Sequence, residues 1–286
     1  MILDGKIAAA SIKEQLKNEI EQHKNEVGRP PCLVIISVGD DPASKVYVRN
    51  KMKAAEEVGI EAKHIVFDGN IKNKCDVITT IWYYNDDDDV DGIMVQLPLP
   101  KDWDERAIID TIAPNKDVDG LSTTNIGRLR SGQSCIKPCT AAGVMDLLAY
   151  YNIALEGKDV TIIGRSNIVG KPLADMMMAE GATVMQCHSR TRHLADYTLY
   201  ADIVVSAVGK SKLLDADYFG SNHTVIDVGI NRNENAKLCG DVDFDDVKNI
   251  VENITPVPGG VGPMTVAELM KNTVECWRKN NALPRN

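Results

Sequence analysis

The sequence predicts an α/β fold in two domains with parallel sheets. Strand-like runs alternate with helix-like segments almost throughout, and the alternation restarts around Cys139-Thr140. A chain of 286 residues is long enough for two modest cores. In chain order, residues Ile7 to about Asn25 read as a polar amphipathic helix. Leu33-Val-Ile-Ile-Ser-Val-Gly39 is a continuous apolar run of the buried-strand kind, followed by a turn at Asp40-Asp41-Pro42. A helix from about Ser44 to Val58 ends at Gly59, a strand follows at Ala62–Phe67, and a helix near Lys74–Tyr83 comes next. The strand Gly92–Leu97 is ended by Pro98.

After the restart, helix Ala141–Tyr151 leads into strand Asp159–Gly164, helix Pro172–Glu180 and strand Ala182–Cys187. Two further strands end in glycine, Asp202–Gly209 and Thr224–Gly229. Junctions near Cys139 and Gly260 divide the chain into a first domain over 1–139 and a second over 140–264. A last helix, within 265–286, packs back onto the first domain. Thr265-Val-Ala-Glu268 reads as the capping box that opens it.

Apolar content of 44% and charged content of 26% describe a soluble globular protein. Forty-one acidic against 32 basic residues give a net charge of −9, which argues against a nucleic-acid binder. Seven scattered cysteines without a C-x-x-C pair fit reduced thiols and a cytoplasmic location. No signal-peptide pattern or membrane-length apolar run is present, so no membrane partner is expected. The histidines form no ligand pattern, and the aspartates of Asp86–Asp91 read as a solvated loop, so no metal is expected.

Three stretches carry chemistry. In Thr255-Pro-Val-Pro-Gly-Gly-Val-Gly-Pro-Met-Thr265, three prolines stiffen the backbone and three glycines leave amides bare for close approach. An ordinary strand-to-helix crossover and a wall against a flat ligand both fit this composition. Gly164-Arg-Ser-Asn-Ile-Val-Gly170 follows a strand and opens a helix, where a Rossmann-type domain seats a pyrophosphate. Ser166 stands where the second glycine of the dinucleotide fingerprint belongs. The next strand ends in Cys187-His-Ser-Arg-Thr-Arg192 without the carboxylate of an NAD site. Together with Arg165 this suits the extra phosphate of NADP, the alternative being a solvated basic turn. His188 reads as structural.

The third stretch lies in the first domain. Tyr47 and Lys51 are four apart on one helix face, beside an apolar stripe of Val48, Met52 and Ala55. A rim tyrosine with a snorkelling lysine is the plain alternative. Gln96 is polar at the carboxyl end of a buried strand and must find partners there. Asp117 and Asp119 share a loop in which one aspartate is a turn former.

Tyr47-Val-Arg-Asn-Lys51, Val95-Gln-Leu-Pro-Leu-Pro100, Lys116-Asp-Val-Asp-Gly120, Gly164–Gly170 and Pro256–Thr265 occur in this order. Together they resemble the bifunctional methylenetetrahydrofolate dehydrogenase/methenyltetrahydrofolate cyclohydrolase family. That resemblance implies an N-terminal α/β substrate domain, a Rossmann-type NADP-binding domain and a cleft between them. It implies oxidation of 5,10-methylenetetrahydrofolate with NADP⁺, then hydrolysis to 10-formyltetrahydrofolate, in one-carbon metabolism and purine biosynthesis. It further implies a homodimer whose partners are tetrahydrofolate derivatives.

By the same resemblance Lys51 is the main catalytic group, Gln96 holds it, Tyr47 stacks on the folate and Asp119 accepts from the pterin. Val48, Arg49, Asn50, Val95, Leu97, Pro258, Gly259, Gly260, Val261 and Gly262 complete the folate site. Gly164, Arg165, Ser166, Ser189 and Ile230 serve the cofactor. Three rivals remain: a single-activity member, a non-catalytic folate or nucleotide sensor, and a shikimate-type dehydrogenase. The last leaves the Pro/Gly wall unexplained.

Overall fold

Helix α1 (Gly5–Val27) leads into strand β1 (Cys32–Val38), the middle strand of a three-stranded sheet. Strands β2 (Glu61–Phe67) and β3 (Gly92–Val95) pair with it on either side, both in parallel. Because successive side chains leave a strand on opposite faces, a middle strand covered on both faces is apolar along nearly its whole length, and the exception here, Ser37, pairs its Oγ with His64 Nε2. Leu33 and Ile35 enter a core with Ile20 of α1, Val48 and Ala55 of α2 (Pro42–Val58), and Trp277. Val34 and Ile36 enter a second core with Val77 and Ile81 of α3 (Lys74–Asn85) and Ile108 of α4 (Glu105–Ile109). Each such side chain removed from water contributes about 1.5–3 kcal/mol before entropy is counted. Met94 of β3 lies in the first core, and Ile93 and Val95 lie in the second. Helix α2 is fixed at both ends. The Asp41 carboxylate accepts from the Ser44 amide, and Gly59 closes it at φ 88°. Helix α5 (Thr123–Arg130) completes this stretch.

The second half begins with α6 (Cys139–Tyr150) and alternates β4 (Asp159–Ile163), α7 (Gly170–Ala179), β5 (Thr183–Cys187), α8 (Leu194–Tyr200) and β6 (Ile203–Ser206). Then come β7 (Thr224–Asp227), a small hairpin of β8 (Asn231–Arg232) and β9 (Leu238–Cys239), α9 (Phe244–Val247), β10 (Asn253–Ile254) and α10 (Val261–Asn280). Five of these strands form one parallel sheet in the order β10-β7-β6-β4-β5. After β5 the chain crosses back over β4 to β6, so the topological switch point lies between β4 and β6.

The computed structural model describes residues 1–69, 71, 73–234 and 236–283. Two units result: Ala10–Cys139 with Val266–Asn286, and Met1–Ala9 with Thr140–Thr265. This differs from a first domain over 1–139 at its very start, for a physical reason. Ile2 forms a parallel bridge with Ile254 beside β10, the Leu3 amide donates to the Ile254 carbonyl, and the Gly5 amide donates to the Gly259 carbonyl. The first residues therefore extend the five-stranded sheet.

Helix α10 starts at Val261, which corrects the capping-box reading of Thr265–Glu268. Thr265 lies one turn inside the helix, where its hydroxyl donates to the Val261 carbonyl. Pro263 is tolerated because it sits in the first turn, where no intrahelical partner for its amide exists.

Candidate active site

In the unit built on β1, alternation along β3 decides which residues can act together. Met94 faces the core shared with α2, and Gln96, two residues on, follows on that side. Gln96 lies just past β3, yet its amide still donates to the Ile36 carbonyl at 2.7 Å. The Lys51 ammonium, arriving from α2, donates to Gln96 Oε1 at 3.0 Å and approaches Met94 Sδ at 3.6 Å. Gln96 Nε2 in turn donates to the Leu97 carbonyl at 2.7 Å, which fixes the amide so that its oxygen faces the lysine. Tyr47, one turn before Lys51, exposes its ring.

The loop between α4 and α5 separates its two aspartates by function. Asp117 is fully buried and accepts from the amides of Gly120, Leu121 and Ser122 and from Asn125 Nδ2. It is the turn former. Asp119 is half-buried and is left free of that duty. Desolvation pushes its carboxyl above the ordinary range; the Lys51 charge pulls it down, Asp117 pushes it up, and a hydrogen bond with Cys139 pulls it down. Cys139 is itself buried, its thiol driven well above its ordinary value by desolvation first and by Asp119 next. Its Sγ donates to the Val118 carbonyl, and Asn272 Nδ2 donates to Sγ and to the carbonyls of Val118 and Lys137. Neither Cys139 nor Asn272 carries a local sequence signal for this place.

The other residues expected beside Lys51 differ in burial. Val48, three residues before Lys51 and so about 60° from it round α2, packs into the core, while Arg49 faces a groove with Lys53 and Glu56. Val95 and Leu97 belong to the opposite core. Asn50 is exposed.

Close packing accounts for Gly260 of the Pro/Gly segment, and backbone conformation for Gly259. A Cβ on Gly5 would stand 1.8 Å from the Gly260 carbonyl oxygen, and one on Gly260 would stand 2.6 Å from the Pro256 oxygen. Gly259 adopts φ 111°, Val261 is buried, Pro258 is exposed, and a Cβ on Gly262 would meet nothing within 4 Å.

In the five-stranded unit, Gly164 stands at the switch point. Its φ is 136°, and a Cβ there would lie 2.5 Å from the Ala207 carbonyl oxygen beyond β6. A Cβ on Gly170 would lie 2.3 Å from the Gly164 oxygen. This leaves a cradle closed to side chains at the opening of α7, the geometry that accepts a pyrophosphate. Ser166, in place of a second glycine, accepts from the amides of Val169 and Gly170 through its Oγ and so begins the helix. Arg165, Ser166, Ser189 and Arg190 are exposed around the cradle, and Ile230, after β7, shows 47% of its surface. His188 is structural: its Nδ1 accepts from the Arg190 amide.

Among the described residues no group of three His, Cys, Asp or Glu side chains is placed to hold a metal. The acidic loop is met by the protein's own cations. Lys116 Nζ donates to the Tyr84 and Asp87 carbonyls, and Arg29 contacts Asp88, Asp89 and Asp91. No helix among the described residues is long and apolar enough to cross a membrane.

A dinucleotide cradle at a switch point and a separate lysine–amide–carboxyl cluster define a two-domain, nucleotide-dependent dehydrogenase class. The chain belongs to the tetrahydrofolate dehydrogenase/cyclohydrolase family: the model of its catalytic domain matches residues 3–119, and that of its NAD(P)-binding domain matches residues 138–281. The Bifunctional protein FolD of Bacillus subtilis is 48% identical, over 97% of this chain and 98% of that protein. The crystal structure of the bifunctional FolD enzyme from Campylobacter jejuni, 47% identical, superposes with a TM-score of 0.95, covering 98% of this chain and 99% of that one. A Trypanosoma brucei relative complexed with NADP cofactor and inhibitor is 36% identical with a TM-score of 0.92, covering 98% and 97%.

Proposed function

We infer that this chain is a bifunctional enzyme of one-carbon metabolism. It oxidises 5,10-methylenetetrahydrofolate with NADP⁺ and hydrolyses the methenyl product to 10-formyltetrahydrofolate. The observation that carries the reading is the 3.0 Å bond from Lys51 Nζ to Gln96 Oε1, next to an Asp119 carboxyl that feels the lysine's charge.

The glycine cradle at Gly164 and Gly170 fits a dinucleotide pyrophosphate, and exposed Arg165, Ser189 and Arg190 supply donors for the additional phosphate of NADP. Bound NADP⁺ supplies the hydride acceptor. Tyr47 offers its exposed ring to the pterin face, and Asp119 accepts from the pterin's N–H donors. Gln96 Oε1 accepts a hydrogen bond from one of the three ammonium N–H groups of Lys51, which directs the remaining donors. Lys51 then polarises the methenyl carbon's surroundings and exchanges protons as water adds and the ring opens. An intact Lys51–Gln96 pair supports both activities rather than the dehydrogenase alone.

The reading extends to a cytoplasmic homodimer serving purine biosynthesis. Support for the compartment comes from the seven cysteines, all free thiols, and support for the dimer from family likeness. Purified protein given methylenetetrahydrofolate with NADP⁺ should show methenyl product rising and then decaying. No NADPH formation, or accumulation of the methenyl compound without faster decay than in buffer, overturns the corresponding half of the reading.

A further inference from the structure

Two carboxylates that the chemistry above does not use lie buried at the carboxyl ends of β6 and β7. Asp241 has no exposed surface and Asp227 almost none. Five donors converge on Asp241. Its Oδ2 accepts from Ser206 Oγ at 3.0 Å, the Val208 amide at 2.8 Å and the Gly209 amide at 3.3 Å. Its Oδ1 accepts from the Lys210 amide at 2.8 Å and from Asn231 Nδ2 at 2.9 Å. Three successive amides of a turn leaving a strand have no ladder partners, and burial makes leaving them unpaired costly. A carboxylate's two oxygens accept only, so their roughly four lone-pair sites can be shared among all five donors, whereas an asparagine would turn an NH₂ toward some of them.

Asp227 forms a second tier. Its Oδ1 accepts from the amides of Gly229 and Asp241, and its Oδ2 accepts from the Val242 amide. The fit is close on both sides: a Cβ on Gly229 would lie 2.3 Å from Asp241 Oδ1, and one on Gly240 would lie 1.8 Å from Asp227 Oδ2. The turn gripped by Asp241 begins at Ala207, the residue whose carbonyl presses against Gly164 at the switch point. The other turn it grips runs from Gly229 to Asn231 and carries Ile230.

We propose that Asp241, held by Asp227, is a positioning residue of the dinucleotide site, fixing together the turn that backs Gly164 and the turn that presents Ile230. This rests on the NADP-dependent reading given above. Its signature is separation of the two activities, since hydrolysis of methenyltetrahydrofolate needs no dinucleotide. Asp241→Asn should raise the KM for NADP⁺ at least tenfold and weaken NADP⁺ binding by titration to the same degree. Cyclohydrolase kcat/KM, assayed without dinucleotide, should stay within twofold of wild type.

Asn231→Ala and Ser206→Ala each remove one donor and leave the carboxylate in place, and each should raise that KM about threefold. Asn231→Asp, of the same shape but opposing one carboxylate with another, should exceed Asn231→Ala. An NADP⁺ KM within twofold of wild type in folded Asp241→Asn overturns the proposal, as does an equal loss of both activities. If Asp241→Asn does not fold, an unchanged KM in both single-donor variants overturns it. Absence of NADP-linked turnover in the wild type defeats the functional reading instead, and the titrations still decide the positioning role.

Discussion

Replacing Lys51 by methionine keeps an unbranched apolar stem against α2 and removes the ammonium alone. Three consequences can be sized from the surroundings of that nitrogen. Its bond to Gln96 at 3.0 Å disappears, but Gln96 is only half-buried and water can replace the donor, so stability should fall by no more than ~1 kcal/mol. Asp119 loses the positive charge that holds its carboxyl down, so its pKa rises further and it accepts less well from a pterin. That predicts a rise in folate KM of less than ~10-fold, the scale of one weakened hydrogen bond. Proton handling during water addition is lost outright, and a positioned general acid or base contributes ~10²–10⁴ in rate. The expected outcome is a cyclohydrolase kcat down at least ~100-fold, or about 3 kcal/mol in barrier, with a near-normal melting temperature. Decay of methenyltetrahydrofolate, followed by its absorbance in a weakly nucleophilic buffer, measures it directly. A variant that still converts the methenyl compound at the wild-type rate refutes the assignment of Lys51.

Arg165→Ala should lower kcat/KM for NADP⁺ by about 10–100-fold, the worth of a charged hydrogen bond, and leave NAD⁺ within about threefold; parallel losses with both cofactors would contradict the role in phosphate recognition. Asp91 is fully buried, receives two bonds from Arg29 and accepts from the Cys32 amide, so Asp91→Ala should cost about 3 kcal/mol in a denaturant titration. A change below about 0.5 kcal/mol would show that water replaces the pair.

Desolvation raises Asp227 to about 7, above an unfolded value near 3.8, with the Asp241 charge adding to the rise. Between those values the folded protein holds a proton that the unfolded chain has lost. Stability carried by this group is therefore present below about pH 4 and is lost as pH rises through about 7. The stability difference between wild type and Asp227→Asn should shrink by a few kcal/mol over that interval, and a pH-independent difference would exclude the shift.

Both parallel sheets were legible because β1 and β4 carry runs that only burial explains, and α2 because Asp41 and Gly59 mark its ends. Helices α4, α5 and α8 escaped notice, being five, eight and seven residues long and too short for periodicity to speak. Strand β10 has two residues, and what makes it a strand is a neighbour nearly thirty positions away. The joining of Met1–Ala9 to the second unit was equally hidden, since it depends on Ile254 and Gly259. Within the site, helix and strand spacing brought out Tyr47, Lys51 and Gln96, which follow from local geometry. The same motifs contain Val48 and Val95, which pack into the two cores, Leu97, half-buried against the second core, and Arg49, which lines a surface groove. The Asp227–Asp241 tier links three turns distant in sequence and left no local trace.

Lys116-Asp-Val-Asp119 gives four consecutive residues four unrelated tasks. Lys116 ties down the acidic loop, Asp117 builds the following turn, Val118 fills the space left by Gly92, and Asp119 faces the charge of Lys51. In evolutionary terms the segment works as a vernier. Adding one residue ahead of the segment would put a carboxylate in the core, a lysine in the turn and an apolar side chain beside the Lys51 ammonium. Length variation among descendants of this gene should therefore avoid this segment even where neighbouring loops drift freely.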